Sequence, residues 1–182
     1  MLQRTRADQV VPVFQRFMEK YPTLSEAKDG DFIEVKTMLL PLGLAWRAET
    51  FVAFVREASA RYGEELPVEV EELHTLPGIG DYAGAAIACF AGNQSVSLVD
   101  TNIVRVVGRI FGLRIDGEAR RRSDVKGAIR SVVYITDPAN YHYAVLDFGA
   151  KVCTATRPRC HICPFADADR CDFFASHVLQ TI

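Results

Sequence analysis

At 182 residues, 49% of them hydrophobic, the chain can bury the core of one generous domain or two small ones. It has no run of 18 uninterrupted apolar residues, and no basic, apolar and small-residue leader stands at its start. These absences argue against a helical membrane protein and an exported one, so the expected location is the cytoplasm, with no membrane partner. A net charge of −2 would speak against a nucleic-acid partner if it were even, but residues 1–100 hold 9 Lys and Arg against 15 Asp and Glu, whereas residues 101–182 hold 12 against 8. The basic excess is carried by Arg105, Arg109, Arg114, Arg120, Arg121, Arg122, Lys126 and Arg130, and reads either as a face for a polyanion or as a solvated surface.

In chain order, hydrophobic spacing is helical almost throughout. Met1 to Thr5 has no capping residue, so the chain is expected to begin inside a helix. Val10, Val13, Phe14, Phe17 and Met18 mark the apolar face of that helix. Tyr21-Pro22-Thr23 ends it, and Thr23 or Ser25 can cap the next. Pro41-Leu42-Gly43 breaks the chain before a helix from about Trp46, which Tyr62-Gly63 closes. A helix ending over Glu71 to Thr75 and another over Tyr82 to Phe90 flank the turn Leu76-Pro77-Gly78-Ile79-Gly80. Ser95 to Val99 has the alternation of a strand and is expected as an extended connector. Ile103, Val106, Val107 and Ile110 start the helices of the basic half. The fold class is therefore all-α, without internal repeats.

Four of the five cysteines, Cys153, Cys160, Cys163 and Cys171, fall within 19 residues at spacing C-x6-C-x2-C-x7-C. In a chain without an export signal, this density points to metal ahead of disulfides. Structural zinc usually takes two separated CxxC knuckles, and here there is one. A [4Fe-4S] centre accepts uneven spacing and is the favoured reading, with zinc as the alternative. Arg157, Arg159 and Arg170 between the ligands would then sit on pinned loops. Cys89 reads as a small buried hydrophobe, and His74, His142, His161 and His177 complete no ligand set.

In Leu76 to Gly80, two glycines can take positive φ and let another backbone approach, and the following helix starts with unpaired N–H groups that suit an anion. A plain helical connector would read the same way. Asp100, in Val99-Asp100-Thr101-Asn102-Ile103-Val104-Arg105, directly precedes a helix, and on its own it reads as an N-cap.

Taken together, LPGIGDYAGAA, VDTN with Arg105, and Leu146-Asp147-Phe148-Gly149-Ala150-Lys151-Val152-Cys153 leading into the cysteines resemble the helix-hairpin-helix base-excision DNA glycosylases. That superfamily includes endonuclease III and the A:G-mismatch adenine and G:T-mismatch thymine glycosylases. The resemblance covers nearly the whole chain. It implies two helical lobes with the active site in the cleft between them. One lobe, residues 6–113, would carry the hairpin, and the other, residues 114–182 with the first few residues, would hold the cluster. It further implies that Leu76, Pro77, Gly78, Ile79 and Gly80 hold a DNA phosphate, with a monovalent cation on the turn's carbonyls. Asp100 would be catalytic, Gln3, Arg4, Asn102 and Arg105 would lie on the DNA, and the four cysteines would bind [4Fe-4S]. The partner would be double-stranded DNA with a mismatched or damaged base, bound by a monomer at the nucleoid.

Tyr82 sets the reaction subtype. The endonuclease III branch has a lysine there that forms a Schiff base and nicks the strand. A phenol cannot form an imine, so the expected enzyme releases a base and leaves an abasic site. Thr101, where adenine enzymes read Gly, and Arg4, where they tend to have Gln, lean towards T or U opposite G, with A:G as the alternative. A non-catalytic iron-sulfur DNA-binding module is the alternative of another class. Two departures stand out. The family has a further N-terminal segment, including an acid that would fall just before Met1, so the sequence is expected to be N-terminally short. The last cysteine follows after seven residues where the family has five.

Overall fold

The computed structural model describes residues 5–43, 45–134 and 136–179. Among them there is no strand, in line with the all-α expectation. Ser95 to Val99 is indeed unpaired chain, lacking any partner strand. Contacts gather the chain into two compact units, residues 1–80 and 81–182. The motif-based boundary after residue 113 lies inside the second unit, because the helix that follows Asp100 packs on the two helices after it.

The first unit holds α1 (Ala7–Lys20), α2 (Leu24–Lys28), α3 (Phe32–Leu39), α4 (Ala45–Tyr62) and the short α5 (Val70–Leu73). Its core is Val10, Val13, Phe17, Tyr21, Val35, Leu39, Leu42, Ala48 and Val52, with the Phe51 ring edge-on to Phe17. Phe14 and Met18, expected on the buried face of α1, are exposed; Val10, Val13 and Phe17 alone fill the stripe. The helical start expected over Met1 to Thr5 lies, but for Thr5, outside the described residues. Arg6 is extended (φ −71°, ψ 145°) and holds Asp8 through its side chain, so α1 begins at Ala7. Thr23, not Ser25, caps α2, in a reciprocal capping box with Glu26. Glu64 then accepts from the backbone N–H groups of Leu24 and Ser25 at 2.9 Å. Gly63, at φ +67°, ends α4 as its sequence position suggests.

The second unit holds α6 (Asp81–Phe90), α7 (Thr101–Ile110), α8 (Ser123–Ser131) and α9 (Pro138–Lys151), followed by a chain whose regular structure is a 3-10 turn at Cys160–Ile162 and a π-turn at Phe174–Val178. Ala85, Cys89, Leu98, Ile103, Val104, Val107, Ala119, Val125 and Ile129 form its core. α7 carries five buried residues in ten, the most amphipathic of the described helices, and Asp100 caps it.

Candidate active site and cysteine cluster

The turn between α5 and α6 is closed by Leu76 N–H to Leu73 O at 3.1 Å and Ile79 N–H to Leu76 O at 3.2 Å, with the Leu76 side chain buried. Gly78 takes φ +76°, and a Cβ there would overlap the Thr50 methyl. Gly80 differs from the expectation for both glycines: its φ is ordinary for any residue, and open space surrounds its Cα. Among the described residues neither glycine's N–H finds an acceptor. The turn therefore offers free donors and a missing side chain, which is what an incoming anionic backbone needs. The two glycines should separate by experiment. Gly78→Ala forces an L-residue into the left-handed region against Thr50 and is expected to lower stability by about 1–3 kcal/mol in thermal unfolding. Gly80→Ala should unfold like the parent and lose only DNA affinity; equal stability losses in both would refute the distinction.

Asp100 is the N-cap of α7, with Oδ1 accepting the Ile103 N–H at 2.7 Å. Its Oδ2 accepts from Asn102 Nδ2 at 3.0 Å. A carboxylate has about four lone-pair sites, so two remain after these bonds. Asn102 Oδ1 in turn accepts from Arg105 Nη2 at 3.0 Å, and the same nitrogen donates to Gly149 O at 2.7 Å while Nε donates to Cys153 O at 2.8 Å. A Cβ on Gly149 would press on Asn102 and on this guanidinium, so glycine is what lets α9 come close. Asn102 and Arg105, expected on DNA, are thus turned inward. Their polar groups are used in orienting Asp100 and tying it to the cysteine loop. Burial, ahead of neighbouring charges, pulls the Arg105 pKa down from its ordinary value.

Tyr82, in the first turn of α6, is 39% exposed. Burial of its ring, then the Asp100 carboxylate, pushes its phenol above the usual value, so it stays a neutral donor at physiological pH. Gln3 and Arg4 lie outside the described residues.

His142, without a role by sequence, is fully buried in α9. Its Nδ1 lies 2.8 Å from Pro138 O, which fixes the proton on that nitrogen, and its Nε2 accepts the Leu98 N–H at 3.2 Å. Cys89 Sγ sits 3.6 Å from Nδ1, a small buried group as read. His142 therefore satisfies the otherwise orphaned N–H of the connector two residues ahead of Asp100. The signal was the connector itself, since an unpaired extended segment in a core must find acceptors elsewhere. Burial first, opposed by the Pro138 carbonyl, lowers the His142 pKa below 6.5. The unfolded chain then takes up a proton that the folded one refuses. Stability from neutral His142 is complete above about pH 6.5 and is lost as pH falls from there towards the folded pKa. The thermal midpoint of the parent should drop through that window more steeply than that of His142→Gln; parallel curves would sink the assignment.

Cys153, Cys160, Cys163 and Cys171 line one small apolar cavity of about 20 Å³ with Phe148, Phe165 and Phe173. Arg109 closes it: Nη1 is 3.4 Å from Cys153 Sγ and 2.7 Å from Thr154 O, Nη2 is 2.9 Å from Ala155 O, and the guanidinium lies over Phe173 at 4.5 Å. Burial, then the three other sulfurs, raises the Cys160 thiol; burial likewise raises Cys163. Four thiolates in an apolar cage are unfavourable without a cation among them, so the donor set fits a metal group. Among the described residues no three His, Cys, Asp or Glu side chains close on a single point as a lone ion requires. Ligands on the separate irons of a cluster need not.

Comparison with known proteins agrees with this geometry. Residues 1–129 match the HhH-GPD superfamily base excision DNA repair proteins, and residues 153–171 match the iron-sulfur binding domain of endonuclease III. The chain is 33% identical over 175 residues to a thymine/uracil-DNA glycosylase of Pyrobaculum aerophilum, covering 92% of this chain and 74% of that protein. It is 36% identical over 166 residues to an adenine DNA glycosylase of Mycolicibacterium smegmatis, covering 91% of this chain and 56% of that longer protein. The structure of a thermostable thymine-DNA glycosylase superposes with a TM-score of 0.84 at 26% identity, over 96% of this chain and 80% of that one.

Proposed function

Because the chain belongs to the HhH-GPD superfamily of base excision DNA repair proteins, we propose that it removes thymine or uracil mispaired with guanine and leaves the abasic strand uncut. It is a DNA glycosylase of base excision repair, with relatives named for thymine and for adenine. The choice of base and the role of each residue are our reading. The observation that carries it is Asp100, a carboxylate held on two sides with free lone pairs beside a neutral phenol.

In this reading the mispaired nucleotide leaves the stack, which costs a few kcal/mol and least at a mismatch. As the glycosidic bond stretches, positive charge builds at C1′ and the fixed Asp100 carboxylate stabilises it, or directs a water to it. Tyr82 lines the sugar or base and, lacking an amine, stops the reaction at base release. The N–H groups of Gly78 and Gly80 take a backbone phosphate, with a monovalent cation on the turn's carbonyls. The protein binds iron and sulfur through Cys153, Cys160, Cys163 and Cys171, as [4Fe-4S] in our reading. When bound, the cluster supplies a four-point anchor for the chain between them. The enzyme acts as a monomer on nucleoid DNA.

Thr101 between Asp100 and Asn102, and Arg4, favour thymine or uracil. The 36% identity to an adenine DNA glycosylase keeps the A:G mismatch as the second reading. Single-turnover assays on G:T, G:U, A:G and A:8-oxoguanine duplexes, with and without alkali, decide. Cleavage of G:T or G:U only after alkali is expected. Cleavage without alkali would remove the role given to Tyr82, and no cleavage after alkali would favour a binding module.

A further inference from the structure

Of the eight cations between residues 105 and 130, five are committed inside the protein. Arg105 and Arg109 are bound to backbone carbonyls, while Arg114 pairs with Asp116, Arg121 with Glu118 and Arg122 with Asp124. Three are not: among the described residues no carboxylate lies within 4.0 Å of Arg120, Lys126 or Arg130. With Arg121 these three line an open cleft of about 400 Å³ that Tyr82 and Val99 also line. Two carboxylates line the same cleft: Glu118, already paired with Arg121, and Asp81.

Lys126 and Arg130 are four residues apart in α8, where like charges repel and cost a few tenths of a kcal/mol. The cleft's two carboxylates do not match its four cations, and one of them is already paired with Arg121, so an excess of positive charge is left for an anion from outside. The cleft also borders the candidate catalytic carboxylate, since Val99 precedes Asp100 and the phenol of Tyr82 feels its charge. Uncompensated cations beside a site where positive charge develops would raise the barrier. They are tolerable there only when the substrate itself neutralises them, which a small neutral base cannot do and a phosphodiester chain can.

We propose that this cleft is a second phosphate clamp, using no residue of the 76–80 turn, in which Arg120, Lys126 and Arg130 hold backbone phosphates of the DNA strand whose nucleotide is presented to Asp100. It deepens the glycosylase reading, on which the identity of that strand rests. Held there, the phosphates fix the extruded sugar while their charge lifts the repulsion between Lys126 and Arg130.

The test is the salt dependence of binding to a G:T duplex by the cluster-loaded protein. Each phosphate contact contributes about 0.9 to the slope of log K against log salt. Lys126→Gln with Arg130→Gln should therefore flatten the slope by about 1.8. Arg16→Gln, an exposed cation on α1, should leave it unchanged. A double variant with the slope of the parent would overturn the clamp, as would inorganic phosphate, at matched ionic strength, abolishing the difference between parent and variant, which marks a small-anion site. Base release by the parent is scored separately. If it excises and the slopes agree, the clamp alone fails; if it releases no base, the glycosylase reading fails while the slopes still judge the clamp.

Discussion

Asp100→Asn is expected to lower single-turnover base release by about a hundredfold to ten-thousandfold while DNA affinity holds. The substitution separates the two roles of one side chain. As a cap, Asn is nearly as good as Asp: its oxygen can still accept the Ile103 N–H that Oδ1 now holds at 2.7 Å. The bond from Asn102 Nδ2 is lost, because two amide nitrogens would then face each other, and this costs about 1 kcal/mol. The fold therefore survives. What disappears is the negative charge that a sugar cation needs, and no other carboxylate takes part in the Asn102 and Arg105 network. Asp100→Ala makes the contrast, since it loses the cap as well and should unfold earlier. If Asp100→Asn released thymine or uracil within threefold of the parent, the carboxylate would be a cap and nothing more.

The dual character of Asp100 shows what the sequence could disclose. Its cap role was readable from position alone. The catalytic role proposed for it rests on the resemblance that the hairpin and the cysteines carry, because an N-cap and a catalyst look the same one residue at a time. The all-α class, the α4 stop at Gly63 and the α6 and α7 positions follow from local rules, and local rules survive in the fold. Arg105 could not be placed that way. Its spacing from Asn102 is a helical i, i+3 pair, but its other partners, Gly149 O and Cys153 O, lie 44 and 48 residues on. Periodicity makes a cation at that position look outward, and a tertiary contact turns it in. The same holds for the two glycines of the turn, where only the packing of Thr50 distinguishes Gly78 from Gly80. For the basic surface, charge counting gave the sign of the region but could not tell paired Arg122 from unpaired Arg130.

Loss of the cysteine centre should have the largest structural effect. From Val152 to Leu179 no described residue is fully buried, and regular structure is confined to short turns. Ordering such a segment costs on the order of 1–2 kcal/mol per residue in backbone entropy, and nothing it buries is of that size. The anchor formed by Cys153, Cys160, Cys163 and Cys171 must supply the difference. Cys163→Ala is therefore expected to remove the brown colour and the broad visible absorbance and to abolish hydrogen-exchange protection from 153 to 179. The core of α6 to α9, which contains none of these cysteines, should stay protected. Activity should fall with it. Arg105 would lose its Cys153 acceptor and Arg109 its Thr154 and Ala155 acceptors, and a loosened Arg105 no longer fixes Asn102 against Asp100. A zinc site would give the same loss of protection from a parent that was colourless to begin with. A colourless Cys163→Ala protein with full protection over 153–179 would show that the segment holds itself and that the cysteines do not anchor it.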